Sequence, residues 1–308
     1  MTVGASSAAT YADAVSNAGR ADPSLVALEV GDEHAAASAL APGAPDRFVQ
    51  LPPDLPRVLA ALAERSRGGG PVFLRASIPF LVEEAFVPIV RAAVLPRANV
   101  KLVGDPAPTG GRTATIRDGL GAMRSLPGMT VVAPADGPSC GAAVAALAAR
   151  QGPAYLELPP AEAPPIAGTR FAVGRAEELR AGTDLAIVAY GRTLGRAIAL
   201  ADDLARVGVS ARVLDLVSLK PIDEAALLRA ARDTGAILVV EAAPVTTGIG
   251  TLVAAMTAEN HPVPVRRLGL PDVGPVGGSG PGEEAASLSS ERLRDEAWEL
   301  LRLRGKVQ

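Results

Sequence analysis

The run Asp184-Leu-Ala-Ile-Val-Ala-Tyr-Gly191 and the two runs that follow it decide the fold of this 308-residue chain. The second is Val213-Leu-Asp-Leu-Val-Ser-Leu-Lys-Pro-Ile-Asp223 and the third is Ile237-Leu-Val-Val-Glu241. Each contains a short apolar segment bounded by polar residues, Gly or Pro, which is typical of a strand buried on both faces of a parallel sheet. Helical patterns lie between them, at about 194–207 and 223–233. We therefore predict an α/β domain in this part of the chain.

The first half of the chain repeats this alternation. Its predicted strands are 24–30, 71–76, 100–103 and 129–133, and its predicted helices are 11–19, 56–65, 81–94 and 138–147. The segment from 161 to 182 is rich in Pro, Ala, Gly and charged residues and reads as a connection. We predict two three-layer α/β/α domains with mainly parallel sheets, at 1–160 and 183–308, joined by a linker at 161–182.

Composition excludes several classes of function. The net charge of −3 provides no positive potential that would attract nucleic acid. The aromatic content of 3% also leaves few side chains on which bases could stack, so nucleic-acid binding is disfavoured. Cys140 is the one cysteine and lies in an apolar helical pattern, so we expect a buried structural thiol and no metal site. No window approaches the ~18 uninterrupted apolar residues of a membrane span, and no targeting segment is visible. We expect a cytoplasmic protein.

Short tags in the first half have a recognisable order. Residues 45–48 read Pro-Asp-Arg-Phe, residues 123–136 read Met-Arg-Ser-Leu-Pro-Gly-Met-Thr-Val-Val-Ala-Pro-Ala-Asp, and residues 152–156 read Gly-Pro-Ala-Tyr-Leu. They resemble the "PdRf", "mR.iPgm.vv.PaD" and "GP.YlRl" tags of the transketolase family, and the three runs quoted first resemble that family's C-terminal domain. The resemblance implies a pyrimidine-binding domain of a thiamine-diphosphate enzyme, followed by a transketolase C-terminal domain. The tags Pro134-Ala-Asp136 and Ser218-Leu-Lys-Pro-Ile-Asp223 fit the β subunits of two-subunit oxoacid dehydrogenases as well.

The resemblance also shows which site residues are missing. In the family, a Glu that contacts the aminopyrimidine ring follows "PdRf", and ungapped alignment places Leu55 at its position. Asp54 lies one residue earlier and is the candidate for a substitute acid, with an exposed loop Asp as the alternative. His34 follows a predicted strand end, where α/β folds place ligands, and is the second candidate for a catalytic group; a solvated loop residue is the alternative.

Other expected contacts are changed or lost. The family supplies an aromatic side chain to the pyrimidine ring, and Phe80 is the candidate here, with Ile78 and Leu81 beside the ring. The alternative is that Phe80 is a core residue at the start of a helix. The family's histidine-bearing loop corresponds to residues 104–115, which contain no His, and Pro160 replaces an Arg that binds substrate phosphate. The chain therefore lacks much of the usual binding site for a phosphorylated sugar.

The family's diphosphate-binding "GDG" tag is absent from the chain. The resemblance therefore implies the C-terminal, β-type subunit of a split transketolase. An N-terminal subunit with "GDG" would hold thiamine diphosphate and Mg²⁺, in a heterotetramer with two copies of each chain. The expected activity is that of a carboligase or ketol transferase, which moves a ketol or acyl-type two-carbon unit between small sugar or keto substrates in specialised metabolism, and only with the partner. The alternative is a non-catalytic scaffold or regulatory subunit that stabilises the partner.

Overall fold

The structure is a computed structural model that describes residues 7–31, 46–106, 119–160, 163–166, 171–271 and 281–305. The chain divides into two compact units. The first comprises Met1–Pro165 and Arg170–Val173, and the second comprises Ile166–Thr169 and Gly174–Gln308. Within the described ranges, no helix is both long enough and apolar enough to cross a membrane.

The first unit is built on a parallel sheet. Its elements are α1 (Ser7–Ala21), β1 (Val26–Val30), β2 (Phe48–Leu51), α2 (Leu55–Ser66), β3 (Val72–Ser77), α3 (Phe86–Ile89), β4 (Val100–Asp105), α4 (Gly119–Arg124), β5 (Thr130–Val132), α5 (Gly137–Ala148) and β6 (Ala154–Glu157). The strands of this unit pair in the order β5-β6-β4-β3-β1-β2, and each pair is parallel. The predicted α/β class with mainly parallel sheets is confirmed.

Helices α1 and α5 cover one face of this sheet. Tyr11 and Val15 of α1 pack with Cys140 and Val144 of α5 and with Phe73 of β3 in one buried cluster. Cys140 is a free thiol with no exposed surface, as the sequence predicts. Burial raises its pKa to about 12, so the reactive thiolate is scarce at neutral pH.

The single helix predicted at 81–94 is wrong in detail, because the chain forms three consecutive helical pieces. A π-helix at Phe80–Glu84 precedes α3, and a second π-helix at Val90–Val94 follows it. The Ala85 amide donates to the Phe80 carbonyl and the Leu95 amide to the Val90 carbonyl, both five residues back. Pro88 lies between them and has no amide hydrogen to donate, so a regular α-helical ladder cannot run through the segment.

The second unit has its own sheet. Its elements are β7 (Glu177–Arg180), β8 (Leu185–Ala189), α6 (Leu194–Ala205), β9 (Ala211–Asp215), β10 (Ser218–Lys220), α7 (Glu224–Thr234), β11 (Ile237–Pro244), α8 (Ile249–Asn260), β12 (Val265–Leu270), α9 (Pro281–Ser287) and α10 (Ser290–Leu303). The sheet order is β12-β11-β8-β9-β7. The apolar runs that begin at Asp184, Val213 and Ile237 contribute to β8, β9 and β11.

Strand β7 lies within the range predicted as a linker. It pairs antiparallel with β9 at the edge of the sheet, and its residues alternate between half-buried and exposed. Three of its four residues are charged, so the segment lacks the apolar run that marks the inner strands. The domain limits 1–160, 161–182 and 183–308 stay a prediction.

Candidate functional site

The predicted site residues follow two strands of the first sheet. Asp54 and Leu55 come after β2, whereas Ile78, Phe80 and Leu81 come after β3. Strand β1 lies between β2 and β3 and is parallel to both. The residues after β2 and the residues after β3 therefore lie at the same edge of the sheet. The two strands are about 10 Å apart, because one strand separates them. This carboxyl edge is where parallel α/β sheets place ligands.

Asp54 has a structural task at this edge. Its carboxylate accepts a hydrogen bond from the Arg57 amide at 3.0 Å and caps the N-terminus of α2. Pro56 occupies an early helical position, where its missing amide hydrogen costs nothing. The Asp54 side chain is 49% exposed and lies 3.9 Å from the Arg57 guanidinium. The cap gives this side chain a structural role, and its role as an acid stays a prediction.

The apolar candidates differ in accessibility. Leu55 and Ile78 are half-buried, whereas Phe80 is 5% exposed and Leu81 has no exposed surface. Phe80 begins the first π-helix, and its amide donates weakly to the Ser77 hydroxyl at 3.4 Å. Leu55 and Ile78 can touch a ligand as they stand, whereas the Phe80 ring would have to lose part of its packing. All four roles in cofactor binding stay predictions.

Two sequence candidates lie outside the described residues. His34 falls between 31 and 46, so the structure gives no position for it. Most of the loop that corresponds to the family's histidine-bearing segment falls between 106 and 119. In the part of the chain that is described, no group of three His, Cys, Asp or Glu side chains could hold a metal ion.

A buried ionic cluster lies next to the predicted site. The Arg75 guanidinium on β3 donates to the Asp105 carboxylate on β4 and is 3.5 Å from the Glu29 carboxylate on β1. It also lies 5.8 Å from the centroid of the Tyr11 ring. Burial by itself would lower the pKa of Arg75, but Asp105 and Glu29 outweigh that effect and the pKa is raised. Two carboxylates therefore hold this cation, which makes it a poor anchor for a substrate phosphate.

A second polar contact lies at the ends of β4 and β6. The Tyr155 hydroxyl donates to the Glu157 carboxylate at 3.2 Å. Gly104 is required beside them, because a Cβ there would collide with the Tyr155 hydroxyl. Glu157 occupies the position where the "GP.YlRl" tag has Arg. The charge at this position is thus reversed relative to that tag.

Sequence reasoning did not identify the cluster around Arg75. A signal was present, because Arg75 interrupts an otherwise apolar predicted strand, and a charge in a strand covered on both faces requires a partner. Its partners lie 46 and 30 positions away, and only the strand order β4-β3-β1 brings them together.

The second unit also contains a buried carboxylate at a strand end. Glu241 has no exposed surface and accepts hydrogen bonds from the Tyr190 hydroxyl at 3.1 Å and the Ile249 amide at 2.6 Å. The Gly250 amide donates to it at 3.2 Å. The carboxylate thus satisfies the first amides of α8, which is a structural role. Asp223 does the same for α7 by accepting from the Ala226 amide at 2.9 Å.

The residues at the first edge match only part of what thiamine diphosphate requires. Leu55 and Ile78 offer apolar contact for one side of an aromatic ring. Leu55 cannot exchange a proton, and the Asp54 carboxylate is engaged at the helix N-terminus. The described residues therefore offer apolar contact for the ring but do not supply the acid of the family.

Comparison with known proteins agrees with this fold. Residues 174–293 match the family described as "Transketolase, C-terminal domain". The 6-deoxy-6-sulfo-D-fructose transketolase subunit SqwH of Clostridium sp. (strain MSTE9) is 40% identical over 181 residues, which are 56% of each chain. One of the subunits of the apulose-4-phosphate transketolase of Phocaeicola vulgatus is 32% identical over 221 residues, which are 70% of each chain.

Solved structures extend the likeness to the whole chain. A split-gene transketolase, solved as an inactive β4 tetramer, is 30% identical with a TM-score of 0.87, and the match covers 97% of this chain and 99% of that one. The transketolase of Leishmania mexicana shares the fold at 17% identity and a TM-score of 0.73, but the match covers only 46% of that longer protein.

The chain belongs to the transketolase family. Within that family it is a C-terminal-type subunit of the split transketolases, which are transferases that act as two-subunit complexes. The family depends on thiamine diphosphate.

Proposed function

We propose that this chain is the β-type half of a split transketolase that transfers a two-carbon ketol unit between small sugar or keto substrates. The observation that carries the proposal is the likeness to a split-gene transketolase over 99% of that protein's chain, with no diphosphate "GDG" tag in this one. An N-terminal-type subunit would bind the diphosphate end of thiamine diphosphate through Mg²⁺. This chain would contact the pyrimidine end through Leu55, Ile78 and the π-helix that begins at Phe80. We propose two copies of each chain per assembly.

The charges at the carboxyl edge indicate the kind of substrate. Arg75 is held by two carboxylates, and Glu157 replaces the Arg of the family tag. An acceptor with few or no phosphate groups suits this edge better than an ordinary sugar phosphate. Such an acceptor fits a role in specialised metabolism.

A scaffold subunit is the second candidate, and one observation favours it. Leu55 stands at the position of the family's acid, while the nearest carboxylate, that of Asp54, caps α2. In this case the chain would stabilise the partner without acting on the cofactor.

A pair of substitutions at one position tests whether Asp54 acts as the acid. Asp54→Asn keeps a capping oxygen but removes the acid, whereas Asp54→Ala removes both. Each variant is mixed with the N-terminal-type subunit, and ketol transfer and thermal stability are measured together. If Asp54 is the acid, Asp54→Asn keeps the thermal stability of the wild type and loses activity. Equal activity of Asp54→Asn and wild type excludes Asp54 as the acid.

A gain-of-function variant completes the test. Leu55→Glu places a carboxylate at the family's position, and hydrogen–deuterium exchange at the thiazolium carbon, followed by NMR, shows whether the cofactor is activated. If the chain is part of a working enzyme, the wild-type complex exchanges this proton faster than free cofactor, and Leu55→Glu increases the rate further. Exchange at the rate of free cofactor in the wild-type complex supports the scaffold.

A further inference from the structure

A tyrosine and a glutamate share one part of the carboxyl edge of the first sheet. Glu157 is the last residue of β6 and is half-buried, whereas Tyr155 has no exposed surface. The two side chains lie on the same face of the sheet, because they are two positions apart on one strand. The Tyr155 hydroxyl donates to the Glu157 carboxylate at 3.2 Å. We call these two residues the 155–157 pair.

Two glycines make room for this pair. Gly104 lies opposite Glu157 on the neighbouring strand, and a side chain there would collide with the Tyr155 hydroxyl. Gly119 begins α4, and a Cβ placed on it would be 3.1 Å from the Tyr155 hydroxyl and 3.6 Å from Glu157 Oε2. Because both side chains are missing, the Tyr155 hydroxyl reaches the strand ends and holds the Glu157 carboxylate there.

The pair lies beside Ile78, one of the residues proposed to contact the cofactor. The same point on Gly119 is 3.0 Å from Ile78 Cγ2. The Ile78 methyl group and the Glu157 carboxylate oxygen are therefore at most about 7 Å apart, since both lie within 4 Å of that point. This distance is shorter than the ~10 Å between β3 and β6, which are separated by β4. A substrate that approaches a cofactor ring on Ile78 thus comes within reach of Glu157.

The chemistry of the pair defines the ligand. A carboxylate has only acceptor atoms, so it binds hydrogen-bond donors such as the hydroxyl groups of a sugar. Such charge-assisted hydrogen bonds are roughly twice as strong as those between neutral groups. A phosphate group at the same place would bring a second negative charge next to Glu157 and would be repelled.

We propose that the 155–157 pair is a subsite for the acceptor, which binds the hydroxyl groups of a non-phosphorylated sugar and excludes its phosphate ester. This inference deepens the proposed function and rests on it, because the ketol unit must be transferred close to Ile78. Glu157 is the residue that contacts the acceptor. Tyr155 is a positioning residue, which holds the Glu157 carboxylate at the edge of the sheet.

The test compares D-ribose with D-ribose 5-phosphate as acceptors for the complex of this chain with the N-terminal-type subunit. Hydroxypyruvate supplies the ketol unit in every assay. The variants are Glu157→Gln, Glu157→Arg and Tyr155→Phe. The matched control is Glu64→Gln, because Glu64 is exposed and lies near the far end of α2 from the carboxyl edge.

Wild type is expected to prefer ribose. Glu157→Gln should lower the ratio of kcat/KM for ribose to kcat/KM for ribose 5-phosphate by about tenfold or more, and Glu157→Arg should reverse the preference. Tyr155→Phe should raise KM for ribose more than it lowers kcat, because the carboxylate is no longer held. The control should stay within about twofold of wild type.

Two further measurements are independent of turnover. Saturation-transfer NMR of D-ribose with the complex detects acceptor binding even when no product forms, and the signal should be lost in Glu157→Arg and kept in Glu64→Gln. Thermal unfolding of Glu157→Gln should match that of wild type, since the amide has nearly the same size as the carboxylate. A loss of ribose preference in this variant is then not a loss of folding.

Each remaining outcome overturns a different statement. If wild type prefers ribose 5-phosphate, or if Glu157→Gln lowers kcat/KM equally for both sugars, the subsite is wrong and the proposed function stands. If the wild-type complex binds thiamine diphosphate but transfers no ketol unit, the proposed function fails and the NMR comparison decides the subsite. Equal binding of ribose by wild type and Glu157→Arg would then overturn it, and binding by wild type alone would uphold it.

Discussion

Lys101 allows a prediction of how stability depends on pH. Its ammonium group has no exposed surface and donates to the Asn99 side-chain oxygen at 2.8 Å and to the carbonyls of Arg150 and Gly152 at 2.7 and 2.6 Å. The three partners are neutral, so they satisfy the donors without supplying a counter-charge. Burial, with the nearby Arg150 cation, lowers the pKa of Lys101 from 10.5 to about 8.

The direction of the effect follows from proton binding. Between about pH 8 and pH 10.5 the unfolded chain holds the Lys101 proton and the folded chain has released it. Stability therefore rises with pH in this window, and the difference between the two pKa values corresponds to at most about 3 kcal/mol. Lys101→Met removes the group and this contribution with it.

The assay is urea unfolding of wild type and Lys101→Met at pH 7, 8, 9 and 10. All other titrating groups are common to both proteins, so subtraction leaves the contribution of Lys101. We expect the free energy of unfolding of wild type minus that of the variant to increase by about 2 to 3 kcal/mol from pH 7 to pH 10. A difference that is constant or falls with pH would refute the reasoning.

Three further predictions concern single side chains. Arg75→Met removes the cation that the Glu29 and Asp105 carboxylates share and should lower the free energy of unfolding by about 3 kcal/mol, whereas the exposed Arg20→Met should change it by less than about 0.5 kcal/mol in the same urea titration. Asp54→Ala should cost about 1 kcal/mol through the lost cap of α2, and Asp54→Asn much less; equal losses would disprove the cap. Cys140 should react with a thiol-specific dye only after denaturation, so rapid labelling of the native chain would contradict its burial and raised pKa.

The sequence predicts those parts of the fold that rest on local patterns. The apolar runs at β8, β9 and β11 are long enough to identify strands that are covered on both faces. Strand β7 is missed because an edge strand can be charged and still pair. The sequence does not predict the π-helices on both sides of α3. The missing amide hydrogen of Pro88 indicates that regular α-helical hydrogen bonding is interrupted, but it does not indicate which conformation the chain adopts instead.

The candidate site shows the same limit. Alignment predicts that Leu55 replaces an acid, since that inference needs only the order of residues along the chain. It cannot show that the Asp54 carboxylate caps α2, because the cap depends on where the helix begins. Nor can it pair Arg75 with Glu29 and Asp105, whose contact is created by the strand order.

The most direct test of the split-enzyme account is calorimetric titration of thiamine diphosphate with Mg²⁺ into this chain alone, into the N-terminal-type subunit alone, and into their mixture. The account predicts tight binding by the mixture and weak or no binding by this chain alone, with weaker binding when Ile78→Ala or Phe80→Ala is used in the mixture. Binding by the N-terminal-type subunit that is unchanged when this chain is added, or no binding by the mixture, would contradict a cofactor site shared between the two subunits.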